Sequence, residues 1–357
     1  MKRIAEAVLN GHPDKFSDLV ADRLVRELYR TDPDAYAQIE VSVWSDLIFL
    51  TGGAVTRTKA DLPVRDIIVE LGREIGYTSH NAIDAGKYRI MDHVCWLTGE
   101  PGQWTHYSND QSIVIGYAGY DARTHYLPPE QFLIHYLRES LVNAMAGGVL
   151  SEQGPDGKLL VTMLEEYDGW KPDTLLVTLQ QQPSLPFIEL VDRTETVLRE
   201  AWQRLRKNDP RWQRDWEEIR LVINPNGPLL NGGSDGDNGQ TGRKLVMDYY
   251  GPRVPLGGGA LYGKDLSHID RLGAYNARRF AVGMVKAGAT EAIVRVCFAP
   301  GIEEPLSIDI TSDRRPLTDE HTFFRFSDMR DRIRVTDMDY DLAKLGSFYN
   351  EALSVNV

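Results

Sequence analysis

The chain predicts an α+β protein with sheets covered on one face, and two observations carry that prediction. A strand pair followed by a helix occurs three times along the 357 residues, and long amphipathic segments lie between those units. A chain of this length with 42% apolar residues can also bury a large core, in two or three domains by size alone.

Taken in order, residues 18–30 (DLVADRLVRELYR) carry apolar side chains at helical spacing. Residues 37–55 alternate as a strand pair, and 63–77 follow as a helix with proline in the first turn. Residues 98–109 (TGEPGQWTHYSN) show turn chemistry without a period and read as a short loop. Residues 128–146 read as a helix opened by two prolines. Residues 158–166 and 174–181 flank a Tyr-Asp-Gly-Trp turn, and 187–206 continue at helical intervals. Residues 266–286 read as a helix in which Gly273, Ala274 and Ala277 permit close packing. Residues 290–299 and 305–310 form the third pair around Pro300-Gly301, with a helix after Thr318.

Composition excludes several classes of partner. A net charge of -12 argues against nucleic acid, whose phosphates would be repelled. No apolar run approaches the ~18 residues of a membrane span, and the opening residues are too short an apolar run for a signal peptide. Cys95 and Cys297 lie far apart and form neither a redox pair nor a zinc set, which suits a reducing, cytoplasmic compartment.

Two glycine-dense loops, GGSDGDNGQTGRK (232–244) and GGGALYGKD (257–265), mix Asp235 and Asp237 with Arg243, Lys244 and Lys264. Carboxylates repel phosphate while Arg and Lys attract it, so the mixture suits a ligand that joins phosphates to a ribose, an ammonium or a metal ion. The Gly242-Arg243-Lys244-Leu245 order fails the Walker A pattern, and dinucleotide and calcium-loop spacings fail too. The alternative is a ligand-free surface loop. In Gly11-His12-Pro13-Asp14-Lys15, ahead of the first helix, His12 and Lys15 are placed to face phosphate while Asp14 holds a metal. The alternative there is a helix cap.

Together, GHPDK, NDQSIVIGYA (109–118), INPNGPLLNGGSDGDNGQTGRKLVMDYYG (223–251) and GGGALYGKDLSHIDRLGAYNARR (257–279) resemble, in order, the signature blocks of the S-adenosylmethionine synthetase family. The resemblance spans most of the chain. It implies three interleaved sheet-plus-helix repeats with pseudo-threefold symmetry, at about 1–100, 105–225 and 226–357. It also implies transfer of the adenosyl group of ATP to methionine sulfur, with release of phosphate and diphosphate, helped by two Mg²⁺ per site and K⁺. By the same resemblance His12, Lys158, Arg243, Lys244 and Lys264 are catalytic, and Asp110, Asp156, Asp237 and Ala260 join them around ATP. Asp14 and Asp270 would bind Mg²⁺ and Glu40 K⁺, although Glu40 and Asp270 also suit ordinary ion pairs. Asp110 would serve the neighbouring subunit, which implies a homodimer with shared active sites that pairs further into tetramers in many members.

Departures from the family gather on the methionine side, where Asp237 is retained. Ala54 follows Gly52-Gly53 where the family has Glu, and His268 stands where it has a methionine-contacting Lys. Residues 98–109 are too short for the family's mobile loop, Asn10 replaces an acidic residue, and Pro228 stands where Arg is common. Losing one partner of a buried charge pair costs about 2 to 5 kcal/mol. Other readings therefore stay open: an adenosyltransferase using another thioether or a methionine analogue, or a homologue that only binds nucleotide or cleaves triphosphate.

Overall fold

The computed structural model describes residues 1–79, 83–151, 153–333, 342–346 and 348–349. Strand β1 (Lys2–Val8) leads into helix α1 (Pro13–Thr31), followed by β2 (Tyr36–Trp44), β3 (Leu47–Thr56), α2 (Val64–Ile75), β4 (Arg89–Thr98), the single turn α3 (Gly102–Thr105), β5 (Ser112–Gly119) and α4 (Pro129–Ala146). Then come β6 (Gln153–Glu166), β7 (Gly169–Gln181), α5 (Phe187–Asn208), β8 (Arg220–Ile223), β9 (Gly239–Gln240), α6 (Leu245–Asp248) and α7 (Ile269–Lys286). The last are β10 (Glu291–Phe298), β11 (Ser307–Ser312), α8 (Glu320–Phe323), α9 (Phe326–Arg332) and α10 (Leu342–Leu345).

Among the described residues the strands form three sheets, ordered β1-β6-β7-β8, β11-β10-β5 and β4-β3-β2-β9. Each takes a strand from a distant part of the chain. β1 runs antiparallel to β6, β5 to β10 and β9 to β2. One long helix covers each sheet: α4 lies on β1 and β6, α7 on β5 and β10, and α1 on β2. The expected α+β class and its helix-covered sheets are present.

Local chemistry explains the elements. In α1 Leu24, Val25 and Leu28, spaced at helical intervals, are fully buried, and in β2 Ala37, Ile39, Val41 and Val43 alternate inward. Fully burying one such large side chain is worth about 1.5–3 kcal/mol. The small residues of α7 do sit close to a sheet. A Cβ added to Gly116 of β5 would lie 2.0 Å from the Ala277 carbonyl oxygen, so only glycine lets this strand approach the helix.

Two expectations change. The 98–109 stretch is not wholly loop: it begins at the last residue of β4 and contains α3. The first strand pair is the middle of a four-stranded sheet, because β4 pairs in parallel with β3 and β9 closes the other side. On the face of this sheet away from α1, Trp44 (55% exposed), Phe49 (42%), Met91 (43%) and Leu97 (54%) share the surface with Gln38, Glu40, Ser42, Thr51 and His93.

Candidate active site

The first group of predicted residues meets where α1 begins. His12 caps the helix, its Nδ1 accepting the Asp14 backbone N–H at 3.2 Å, and Pro13 occupies the first turn, where its missing N–H costs nothing. Against this turn lies β9. A Cβ on Gly239 would stand 2.2 Å from the Pro13 carbonyl carbon and oxygen, so the strand reaches the helix only as glycine. That approach lets the Gln240 N–H donate to Asp14 Oδ1 at 2.9 Å. The next residues then bring their cations in. The Lys244 ammonium pairs with Asp14 Oδ2, and the Arg243 guanidinium lies 3.5 Å from Oδ1.

Gly239→Ala should therefore push β9 off α1. The expected result is a stability loss of about 1–3 kcal/mol and a loss of catalytic rate near a hundredfold, the usual scale for a site displaced by about 1 Å. An unchanged rate would show that the contact does not position Arg243 and Lys244.

Burial, with the Lys244 charge beside it, lowers the pKa of His12 to about 4, so the ring is neutral at pH 7. Asp237 and Lys158 also act on it electrostatically. Lys158 is half exposed and pairs with Glu6 of β1 at 2.6 Å. Asp156 is held by the Gly233 N–H at 2.8 Å, and burial raises its pKa to about 6. A carboxyl raised above its unfolded value costs nothing below about pH 4, and the cost grows as pH climbs to about 6. Asp156→Asn, which can still accept from Gly233, should therefore match the wild type in urea near pH 4 and exceed it by on the order of 2 to 3 kcal/mol near pH 7. Parallel urea midpoints at the two pH values would contradict the shift.

Lys15 departs from its expected place facing phosphate. Its ammonium is buried between Asp18 at 3.2 Å and Asp248 at 2.6 Å, with the Tyr262 ring centroid 5.0 Å away. Asp18 also accepts the Gly242 N–H at 2.9 Å, tying the Arg243-Lys244 loop to α1. Burial raises its pKa to about 7.

A second group gathers where α7 begins. Lys264 bridges to Gln38 of β2, and its ammonium lies 2.6 Å from Asp270 Oδ2. The Ser112 hydroxyl donates to Asp270 Oδ1 at 2.6 Å. Donor atoms of Asp110, His268 and Asp270 all lie within 4.8 Å of one another, so Asp110 sits by this group of its own chain. Between the groups the Thr241 hydroxyl donates to Glu40. Because Gln38 faces Lys264 and Ser42 pairs with Gln240, the groups lie along one strand, about 13 Å apart at ~3.3 Å per residue. Ala260 lines this region beside Gly242.

The methionine-side positions bring little charge. Ala54 is 2% exposed within the hydrophobic core and joins neither group. His268 is 2% exposed and caps α7, while Asp237 is exposed beside the first group. Sequence reading missed Glu6, Asp18, Ser112, Thr241 and Asp248. Only the strand period of β1 hinted at one of them, since it turns Glu6 away from buried Ala5 and Ala7.

Residues 2–95 match the S-adenosylmethionine synthetase N-terminal domain, and residues 231–350 match the C-terminal domain of the same family. The chain is 34% identical over 326 residues to an S-adenosylmethionine synthase of Nitratiruptor sp., covering 86% of this chain and 80% of that protein. It is 34% identical over 321 residues to the synthase of Wolinella succinogenes, covering 85% and 78%. The Staphylococcus epidermidis synthase is 32% identical over 330 residues, covering 86% and 80%. Matched at both ends and along most of its length, the chain belongs to the S-adenosylmethionine synthetase family.

Proposed function

We propose that this protein transfers the adenosyl group of ATP to the sulfur of methionine, giving S-adenosylmethionine, phosphate and diphosphate. The observation that carries the reading is the meeting of His12, Asp14, Arg243 and Lys244 at the start of α1, with Asp156, Lys158 and Asp237 around them. A thioether has no proton to lose, so transfer needs no general base. It needs sulfur aligned with C5′ and donors aimed at the charge that grows on the departing triphosphate. Arg243, Lys244 and Lys158 supply cations. His12, whose Nδ1 is occupied by the Asp14 N–H, offers an Nε2 proton to the oxygen leaving C5′.

The carboxylates fit magnesium. Asp14 and Asp270 present hard oxygen donors, each held by a lysine where a cation is already favoured, and Glu40 with the Thr241 hydroxyl presents oxygens to potassium. Magnesium, when bound, neutralises phosphoryl charge. Two features of this chain support the paired assembly that the resemblance implies: the two residue groups are separate, and one sheet face exposes Trp44, Phe49, Met91 and Leu97. On this reading one protomer's first group faces its partner's second group, and sedimentation should give a dimer or a tetramer. A monomer that retains activity would remove the shared site.

Ala54 and buried His268 favour a second reading, in which the sulfur substrate is a thioether other than methionine. Incubating the protein with ATP, Mg²⁺ and K⁺, with and without methionine, decides between them. S-adenosylmethionine formation supports the first reading. An adenosyl product formed only with another thioether supports the second, and triphosphate cleavage without any adenosyl product sinks both.

A further inference from the structure

We propose that a cavity behind the first group of residues is a second small-molecule site, which takes a flat, uncharged purine lactam through the side-chain amide of Gln153. The cavity holds about 430 Å³, within the roughly 300–1,000 Å³ of small-molecule sites, and lies between the ends of α2 and α4 and the start of β6. Leu9, Ile75, Val142 and Leu150 give it apolar walls. It is separate from the nucleotide residues. Pro155 is on its wall, and the Pro155 carbonyl oxygen accepts the Gly11 N–H at 3.0 Å, but His12, Asp14, Asp156, Arg243 and Lys244 are not among the residues that line it.

Gln153 marks this cavity as a site. The side chain opens β6 on the cavity wall, is 9% exposed, and has no hydrogen-bond partner at either Oε1 or Nε2. Among the described residues it is the one side chain that leaves two buried polar atoms unpartnered. Two other cavities of similar volume, about 440 and 420 Å³, have no such orphan on their walls. A buried amide without partners is costly, so an occupant that satisfies both atoms is favoured. Gln181, opposite Gln153 in β7, does not fill that role. Its Nε2 donates to the Leu185 carbonyl oxygen at 2.7 Å, which leaves only its Oε1, and an acceptor does nothing for the Gln153 Oε1.

The chemistry of the wall selects the occupant. A glutamine amide presents an N–H and a C=O side by side in one plane, and its complement is an edge with an acceptor beside a donor, as when Gln pairs with a purine base. The two charged side chains on the wall, Glu74 and Lys344, pair with each other, so the occupant needs no charge of its own. A flat bicyclic ring with one lactam edge meets both conditions, its ring faces lying against the apolar walls.

The probe is hypoxanthine, a neutral purine lactam, titrated calorimetrically into the full chain with and without a saturating non-hydrolysable ATP analogue and Mg²⁺. One molecule should bind, and the analogue should not displace it. Gln153→Leu, similar in size, should weaken hypoxanthine about tenfold or more, the worth of two neutral hydrogen bonds, and should leave thermal unfolding unchanged or raised, because it removes an unpaired buried amide. 1-Methylhypoxanthine, which lacks the N–H of the lactam edge, should bind wild type no better than hypoxanthine binds the variant. Val142→Phe, which grows into the space, should prevent binding. Absence of binding to wild type, equal affinity in Gln153→Leu, or displacement by the ATP analogue would overturn the proposal. A lower Tm for Gln153→Leu would also overturn it, since the amide would then have a partner within the protein. The adenosyl-transfer reading is decided by its own assay and stands or falls apart from these results.

Discussion

Lys244→Met should lower the rate of adenosyl transfer by about a hundredfold to a thousandfold while changing the ATP KM much less. Two losses combine. The departing triphosphate loses a cation that acts on charge developing in the transition state, which for one such donor is worth about 3 kcal/mol. The Asp14 carboxylate, 1% exposed, also loses its ammonium partner and keeps only the Gln240 N–H and the more distant Arg243. Because the effects share a carboxylate, Asp14→Asn with Lys244→Met should cost less than the two single losses added together. Steady-state kinetics on the four proteins of the cycle measure this. A Lys244→Met turnover within fivefold of wild type would mean that this ammonium does not face the leaving group.

The largest loss of stability is expected at Arg271. Its side chain is fully buried, with the guanidinium 2.8 Å from Asp22 of α1, 2.8 Å from the Lys264 carbonyl oxygen and 3.1 Å from the Tyr275 hydroxyl. Arg271→Met leaves the Asp22 charge buried without its partner, which typically costs 3–5 kcal/mol. The same side chain holds the Lys264 backbone, so polyphosphate binding should weaken too. Asp22→Asn added to Arg271→Met should restore part of the stability, since no lone charge then remains. Guanidinium unfolding midpoints report the first effect, and a loss below about 1 kcal/mol would show that this pair contributes little.

The sequence made the long helices readable because each carries apolar side chains at helical spacing: α4, α5 and α7 fall within a few residues of their expected spans, and α1 begins five residues earlier, at Pro13. Strand β4 was not readable. Met91, Asp92 and His93 are exposed in succession, so it carries neither alternation nor a continuous apolar run. Strand β5 hides for the opposite reason. Its residues 114–119 are buried without a break, a pattern a buried helix segment shares. The pairing of β9 with β2 depends on two residues, Gly239 and Gln240, whose place is set by their contact with Pro13 and Asp14 and not by any local preference.

The site divides in the same way. His12, Asp14, Arg243 and Lys244 could be named from motif chemistry, and they do meet. Lys15 could not be placed correctly from its motif, because Asp248, which draws it inward, lies 233 residues away in sequence. Asp110 and Asp270 could be named, but not their nearness within one chain, which depends on β5 lying against α7.

The exchange of strands among the three sheets has a cost during synthesis. Strand β5 leaves the ribosome about 170 residues ahead of β10, the strand it must pair with. At roughly 5 to 20 residues per second, this apolar segment waits on the order of 10 to 30 s for its neighbour. A nascent chain halted before β10 emerges would therefore leave Ile113 to Ala118 uncovered, a target for holding chaperones and a seam along which unfinished copies can aggregate.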